Sequence, residues 1–297
     1  MVRLIFFVEV RYEIAGDPSD FIFNIHAART RHQALVSENL EVIPAVPVSL
    51  FTDPASGNRY ARLRAAPGPL AVRYDATVDI EHDFASPDTV DEVPISELPP
   101  EALAYIYPSR YCQSDRLQQL AREEFGTLVP GYRRVCAIRD WVQKRTRFTS
   151  GSSNPTTSAI DTLVERVGVC RDFAHLMIAL CRALNIPARF VTSIDYGSDP
   201  IYGPTDFHAC VEAYLGGRWH LFDPTGMTVP MGLIRLGTGR DAADVSFATM
   251  FGDVRSFAPV IGIEAVEGAA REFALPYPRE DALSTDSGSA LLAAIAQ

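Results

Sequence analysis

Residues 164–185 read VERVGVCRDFAHLMIALCRALN, and this stretch decides the fold. Phe173, Leu176, Met177, Leu180, Cys181 and Leu184 fall at i, i+3, i+4, i+7, i+8 and i+11. That is the stripe of a helix buried along one face. Asn185 and Pro187 mark its end. Cys170 follows Gly168-Val169 and stands at the mouth of this helix. Backbone N–H groups at a helix start lack intrahelical partners and the dipole is positive there, a setting that favours a thiolate. Taken alone, a cysteine at such a place is more often an ordinary core residue. The sequence downstream changes that balance.

FHACVEAYL (207–215) and RWHLFDPTG (218–226) both alternate in period two and are joined by Gly216-Gly217, a two-residue hairpin signal. The register set by that turn pairs Leu215 with Arg218, Tyr214 with Trp219, Glu212 with Leu221 and Cys210 with Asp223. His208 and Asp223 then become diagonal neighbours on one face, about 7–8 Å apart at Cβ. A one-residue slip would separate them to opposite faces. Cysteine, imidazole and carboxylate in this arrangement supply nucleophile, general acid/base and orienting group. Cys170, His208 and Asp223 are therefore the candidate catalytic residues, with the Cys170 N–H as one oxyanion donor. The polar loop TSGSSNPTT (149–157) is the candidate neighbourhood for a second donor. Cys210 is expected to line the site, whereas Cys112, Cys136 and Cys181 read as packing residues. His175 lies about 140° around the helix from Cys170 and reads as structural. Tyr214 and Trp219 read as a cross-strand core pair.

Upstream, the pattern is β. Leu4, Phe6, Val8, Val10, Tyr12 and Ile14 alternate with neighbours that turn polar from Glu9, and Leu70 to Ile80 alternate with Arg73, Asp75, Thr77 and Asp79. The expected fold is α+β: an all-β, sandwich-like N-terminal domain over 1–95, with one wet face per sheet, then a catalytic domain over 96–270. The Pro-rich step at 94–100 divides them. Helices are expected over SDRLQQLAREEF with Ser114 as its cap, over GYRRVCAIRDWVQKRT, and over TSAIDTLVERV, which carries Ile160, Leu163, Val164 and Val167. Residues 271–297 read as a frayed or peripheral tail.

Composition narrows the function classes. A net charge of −10 with no long Lys/Arg run argues against nucleic acid. Five scattered cysteines without a C-x-x-C give neither a zinc ribbon nor a thioredoxin motif, and suit a reducing compartment. A metal site from Cys170, His175, His208 and Cys210 lacks the usual ligand spacings. The apolar run in MVRLIFFVEVRYEI is too short for a signal peptide or a membrane span, so a cytoplasmic location without membrane attachment is expected.

GVCRDFAHLMIALCRALNIPARFV followed by DFHACVEAYLGGRWHLFDPT resembles the transglutaminase-like superfamily, in particular its bacterial transglutaminase-like cysteine peptidases. A Cys in G-x-C at a helix start, a His opening a strand and an Asp in D-P-T match Cys170, His208 and Asp223 in the same order. The likeness runs over roughly 100–265, and the β region before it is similar to the family's N-terminal domain. GRDAADVSF (239–247) resembles a recurring downstream stretch without a catalytic role. The resemblance implies a papain-like core with helices packed on an antiparallel sheet, and acyl transfer on amide bonds through a thioester, with no cofactor and no metal. A protein or peptide substrate is expected, with hydrolysis favoured over transfer to an amine. A true protein transglutaminase and a catalytically silent peptide-binding module are the alternatives. SIDYGSDPIYGPTD (193–206) has three Asp, two Pro and no Glu, unlike a calcium loop, so calcium independence is expected. No oligomeric state follows from the sequence.

Overall fold

The computed structural model describes residues 1–197, 205–268 and 273–285; residues 198–204, within the stretch 193–206 that does not resemble a calcium loop, and the tail from 286 lie outside it. The N-terminal part consists of β1 (Val2–Ile14), β2 (Ser19–Phe23), β3 (Gln33–Ile43), β4 (Val48–Thr52), β5 (Arg59–Ala65), β6 (Gly68–Ile80) and β7 (Asp83–Ala85). β1 and β6 pair antiparallel along their whole length, from Val2↔Ile80 to Ile14↔Gly68. Their alternating apolar residues all turn inward. Phe21, Phe23, Ala61 and Leu63 from β2 and β5 close the same core from the other side. Two sheets therefore face each other, as the period-two pattern requires.

The helical stretch follows: α1 (Pro100–Leu103), α2 (Gln118–Phe125), α3 (Tyr132–Arg145), β8 (Arg147–Phe148), α4 (Ala159–Glu165), β9 (Val167–Gly168) and α5 (Cys170–Ala183). α5 ends as its sequence indicates: Asn185 takes a positive φ of 63°, and Ile186 N–H bonds to Cys181 O at 3.0 Å. Two expectations need correction. Ser114 does not cap α2. It is buried in a 3-10 turn (Ser114–Arg116), where its carbonyl accepts the Leu117 N–H, and α2 starts beyond that turn. Nor does the helix run to the end of TSAIDTLVERV: α4 stops at left-handed Arg166, leaving Val164 exposed and Val167 in a short parallel pairing with Arg147.

β10 (Ala188–Asp195), β11 (Phe207–Leu215), β12 (Arg218–Phe222) and β13 (Leu233–Gly239) form a sheet in the order β12-β11-β10-β13. α5 packs on one face through Ala209, Val211, Ala213 and Phe190. The other face joins the sandwich core through Val191, Cys210 and Leu221. The free edge of β13 is closed by side-chain amides. Gln33 donates to Arg235 O at 2.9 Å and accepts from Arg235 N at 2.9 Å, and Asn58 does the same at Thr238, at 2.8 and 2.9 Å. Each amide acts as one peptide unit of a missing strand.

The last strands depart from the linear division of the sequence. β14 (Ala248–Phe251), β15 (Val254–Ser256) and β16 (Val260–Val266) pair with β2 and β1, so these residues complete the two sandwich sheets rather than the catalytic segment. The tail is not peripheral over β17 (Ala282–Ser284), which pairs with β7; Ala282 and Leu283 are buried there.

Candidate active site

α5 begins where one side chain turns back on the helix start and is itself held by another. The Asp172 carboxylate turns back to accept the Val169 N–H at 2.9 Å, and its other oxygen accepts from Ser153 Oγ at 2.9 Å. Arg171 donates to Ser153 Oγ at 2.5 Å and to Asn154 O at 2.7 Å. The loop 149–157 is thereby tied to the first turn of α5. Gly168 is required by the same contact, because a Cβ there would meet Asp172 Cβ at 2.7 Å. Cys170, partly exposed, sits on this frame with Sγ 4.0 Å from Phe207 O.

The hairpin takes the register expected from its turn: Leu215↔Arg218, Tyr214↔Trp219 and Glu212↔Leu221. Gly216 and Gly217 adopt φ of 55° and 83°, which this tight turn demands and side chains resist. The ladder ends at Val211↔Phe222, so Asp223 lies just past β12 while β11 continues back to His208. His208 Nε2 and Asp223 Oδ1 are 3.2 Å apart, and both residues are buried. The His208 carbonyl is held by Ser193 Oγ at 3.1 Å.

Electrostatics couples these groups. Burial alone would lower the His208 pKa, but the Asp223 charge, with further help from Cys210 and from hydrogen bonds to Asp223 and Cys170, carries it well above the ordinary value. Burial alone would raise the Asp223 pKa, but His208 and the hydrogen bonds of Thr225 hold it far below the usual carboxylate range. The structure thus brings His208 and Asp223 together and places Cys170 Sγ 4.0 Å from the carbonyl of Phe207, the residue before His208.

The other candidates fall into place. Cys210 is fully buried against Ser193 Oγ at 3.3 Å, and burial pushes its thiol up to about 12. His175 is buried, stacked on Tyr111, and accepts the Ala242 N–H at 3.2 Å, so it anchors the 239–247 stretch. Tyr214 and Trp219 pack edge to face in a small apolar cluster. Among the described residues no group of three or more His, Cys, Asp or Glu could hold a metal ion. Sequence reading missed Asp172 and Ser153, whose signal is an acidic residue at the third position of a helix. It also missed the turn Thr225–Thr228, signalled by Asp and Thr around a proline.

Residues 118–224 match the Transglutaminase-like superfamily core, and residues 6–101 match the Bacterial transglutaminase N-terminal domain. The crystal structure of a putative cysteine protease from Cytophaga hutchinsonii superposes with a TM-score of 0.87 at 39% identity, covering 95% of this chain and 96% of that one. An uncharacterized protein of Mycobacterium leprae is 33% identical over 117 residues, 38% of this chain and 42% of its own length. One of Mycobacterium tuberculosis is 34% identical over 146 residues, 44% of this chain and 46% of its own. The chain spans less than half the length of these two relatives. Its two matched segments and its likeness along nearly the whole of the Cytophaga protein place the chain in the transglutaminase-like superfamily.

Proposed function

We propose that the chain is a cysteine-dependent acyl-transfer enzyme acting on amide bonds of a protein or peptide, with water as acceptor. Cys170 is the nucleophile, His208 the general acid/base and Asp223 the group that orients it. The reading rests on one observation: a buried imidazole held by a carboxylate at 3.2 Å, with the helix-terminal Cys170 Sγ 4.0 Å from the carbonyl of the residue before that imidazole. A protonated imidazole beside a thiol at a helix start stabilises the thiolate, the attacking form. The sulfur adds to the amide carbon, whose oxyanion meets the Cys170 N–H. Collapse breaks the C–N bond while His208 gives its proton to the leaving amine. His208 then takes a proton from water as it attacks the thioester, releasing a carboxylic acid and the free thiol. The Cytophaga relative's description as a putative cysteine protease supports hydrolysis. Five free thiols suit a reducing, cytoplasmic setting.

Alkylation by iodoacetamide at pH 6, followed by peptide mapping, tests the assignment. Burial raises the pKa of Cys112, Cys136, Cys181 and Cys210, so Cys170 is expected to react well before them. Equal reactivity of Cys170 and Cys136 overturns the nucleophile. A glutamine-containing peptide pool, with and without a primary-amine probe, then separates the acceptors. Cleavage or deamidation without amine incorporation is expected; dominant incorporation makes the protein a transglutaminase.

A further inference from the structure

The turn after β12 is built around one carboxylate. Asp223 Oδ1, the oxygen that faces His208, also accepts from Thr225 N–H at 2.9 Å and Thr225 Oγ1 at 2.7 Å. Oδ2 accepts from Met227 N–H at 3.1 Å, Thr228 N–H at 3.0 Å and Thr228 Oγ1 at 3.0 Å. Thr225 Oγ1 also accepts the Met227 N–H at 3.1 Å, so its hydroxyl joins the two halves of the cradle. From α3, Gln143 Nε2 holds the Thr225 carbonyl at 3.2 Å. On its other side this turn borders a cavity of about 190 Å³, lined by Gln143, Asp223, Gly226 and Thr228 among others. The Asp223 carboxylate there is held by hydrogen bonds on both oxygens.

We propose that Thr225 and Thr228 are positioning residues, whose hydroxyls fix the rotation of the Asp223 carboxylate so that Oδ1 stays aimed at His208 Nε2. This rests on the Cys170–His208–Asp223 reading. A carboxylate held only at one oxygen can swing about its Cα–Cβ bond and lose the imidazole. Donors on both oxygens remove that freedom, and charge-assisted donors do so at the least distance. The three backbone N–H groups alone leave each oxygen with less restraint and one fewer strong donor. Besides Asp223, the titratable groups among the described residues that bear on His208 are Cys170, Cys210 and Asp206.

The test replaces both hydroxyls by methyls of the same shape, Thr225→Val with Thr228→Val, and compares Thr225→Ser with Thr228→Ser. The His208 imidazole is followed by NMR titration on histidine-labelled full chain, its signal assigned by His208→Gln. Cys170 alkylation by iodoacetamide at pH 6 is followed by mass spectrometry. In the valine pair the His208 titration is expected to move down towards the free-imidazole range, and Cys170 alkylation to slow about tenfold. The serine pair restores both. A merely structural role would lower the unfolding midpoint without moving the titration. An unmoved titration with unslowed alkylation overturns the proposal. An upward move also overturns it, because the hydroxyls would then temper Oδ1 rather than aim it. If wild-type Cys170 has no lead over the other thiols, the triad itself fails; if that lead stands and the valine pair matches wild type, only the positioning role fails.

Discussion

β1 and β6 on one side, β10 and β11 on the other, are written in the same period of two, yet they are buried differently. Along β1 and β6, buried residues alternate with half-buried or exposed ones. Along β10 every residue is buried, and along β11 only Phe207 is less so. Alternation in the sandwich separates core from water. In the sheet of β10 and β11 it separates two kinds of cover. One face meets α5 through Ala188, Phe190, Val211 and Ala213. The other meets the sandwich and carries Arg189, Glu212, Ser193 and Arg235, all buried, and at its open end His208 and Asp223. Polar side chains can be kept on an inner face only where each finds partners. A sheet that already houses such groups can hold an imidazole–carboxylate pair away from water, and through Val191, Cys210 and Leu221 this face shares its core with the N-terminal sandwich.

The sharpest way to break this comparison is to disturb the ion cluster on the covered face. Glu212 has no exposed surface; Arg189 meets it at 2.6 Å and Arg235 bonds its other oxygen. Arg189 also lies 4.1 Å over the Trp219 ring, and Arg235 reaches Thr285 Oγ1 at 3.1 Å. Glu212→Gln leaves two buried guanidinium groups facing a neutral amide. A loss of about 3–5 kcal/mol in urea unfolding is expected, as for a buried pair that loses one partner. A loss below about 1 kcal/mol, the scale of a surface pair, would mean that water reaches this face.

A smaller, pH-dependent effect is expected at the open end. The native His208 pKa is raised, so its contribution to stability is fully present below its unfolded value of about 6.5 and fades as pH rises through the native one. The native Asp223 pKa is depressed, so its contribution holds above about 3.9 and fades as pH falls towards the native value. Both are in force near pH 5. His208→Gln should therefore cost about 1.5–3 kcal/mol at pH 5, the scale of a hydrogen bond to a charged group, and less at high pH. The buried His26, His82, His175 and His220, all with lowered pKa values, pull stability the other way. They are common to both proteins and cancel in the difference. Equal penalties at pH 5 and at high pH would remove the charged pair from the account.

The same contrast explains what the sequence disclosed. The apolar stripe of α5, the long alternation of β1 and β6 and the glycine pair at 216–217 are local signals, and local signals yielded the helix start, the sandwich and the His208–Asp223 register. Pairing across the chain leaves no such trace. β15 has three residues and β16 seven, mostly half-buried or exposed, and both find β1 some 250 positions away, so nothing in their own residues names the partner. Buried polar residues are illegible for the opposite reason. Glu212, Arg189 and Asp172 look like solvent-facing residues until their partners, distant or around a turn, are known. Ser114 and the tail show the same limit: a capping residue and a polar stretch were read from type alone, and tertiary contacts placed Ser114 and Ala282–Leu283 inside.

The least effect belongs to the sandwich, and its smallness is what the comparison requires. Asp20 and Arg64 are opposed across β2 and β5 and meet at 2.8 Å, a separation close to that in the Glu212 cluster. Their side chains, however, are 48% and 61% exposed. Water solvates both charges before and after the pair breaks, salt screens them, and two mobile side chains gain freedom when released. Asp20→Asn should therefore change unfolding stability by no more than about 0.5 kcal/mol, and by less still in 0.5 M salt. Measured beside Glu212→Gln under one urea protocol, the two substitutions remove the same kind of charge from the same kind of strand pair. If their costs came out alike, burial would not be what distinguishes the sheets, and the account of the covered face as the housing of the site would fail.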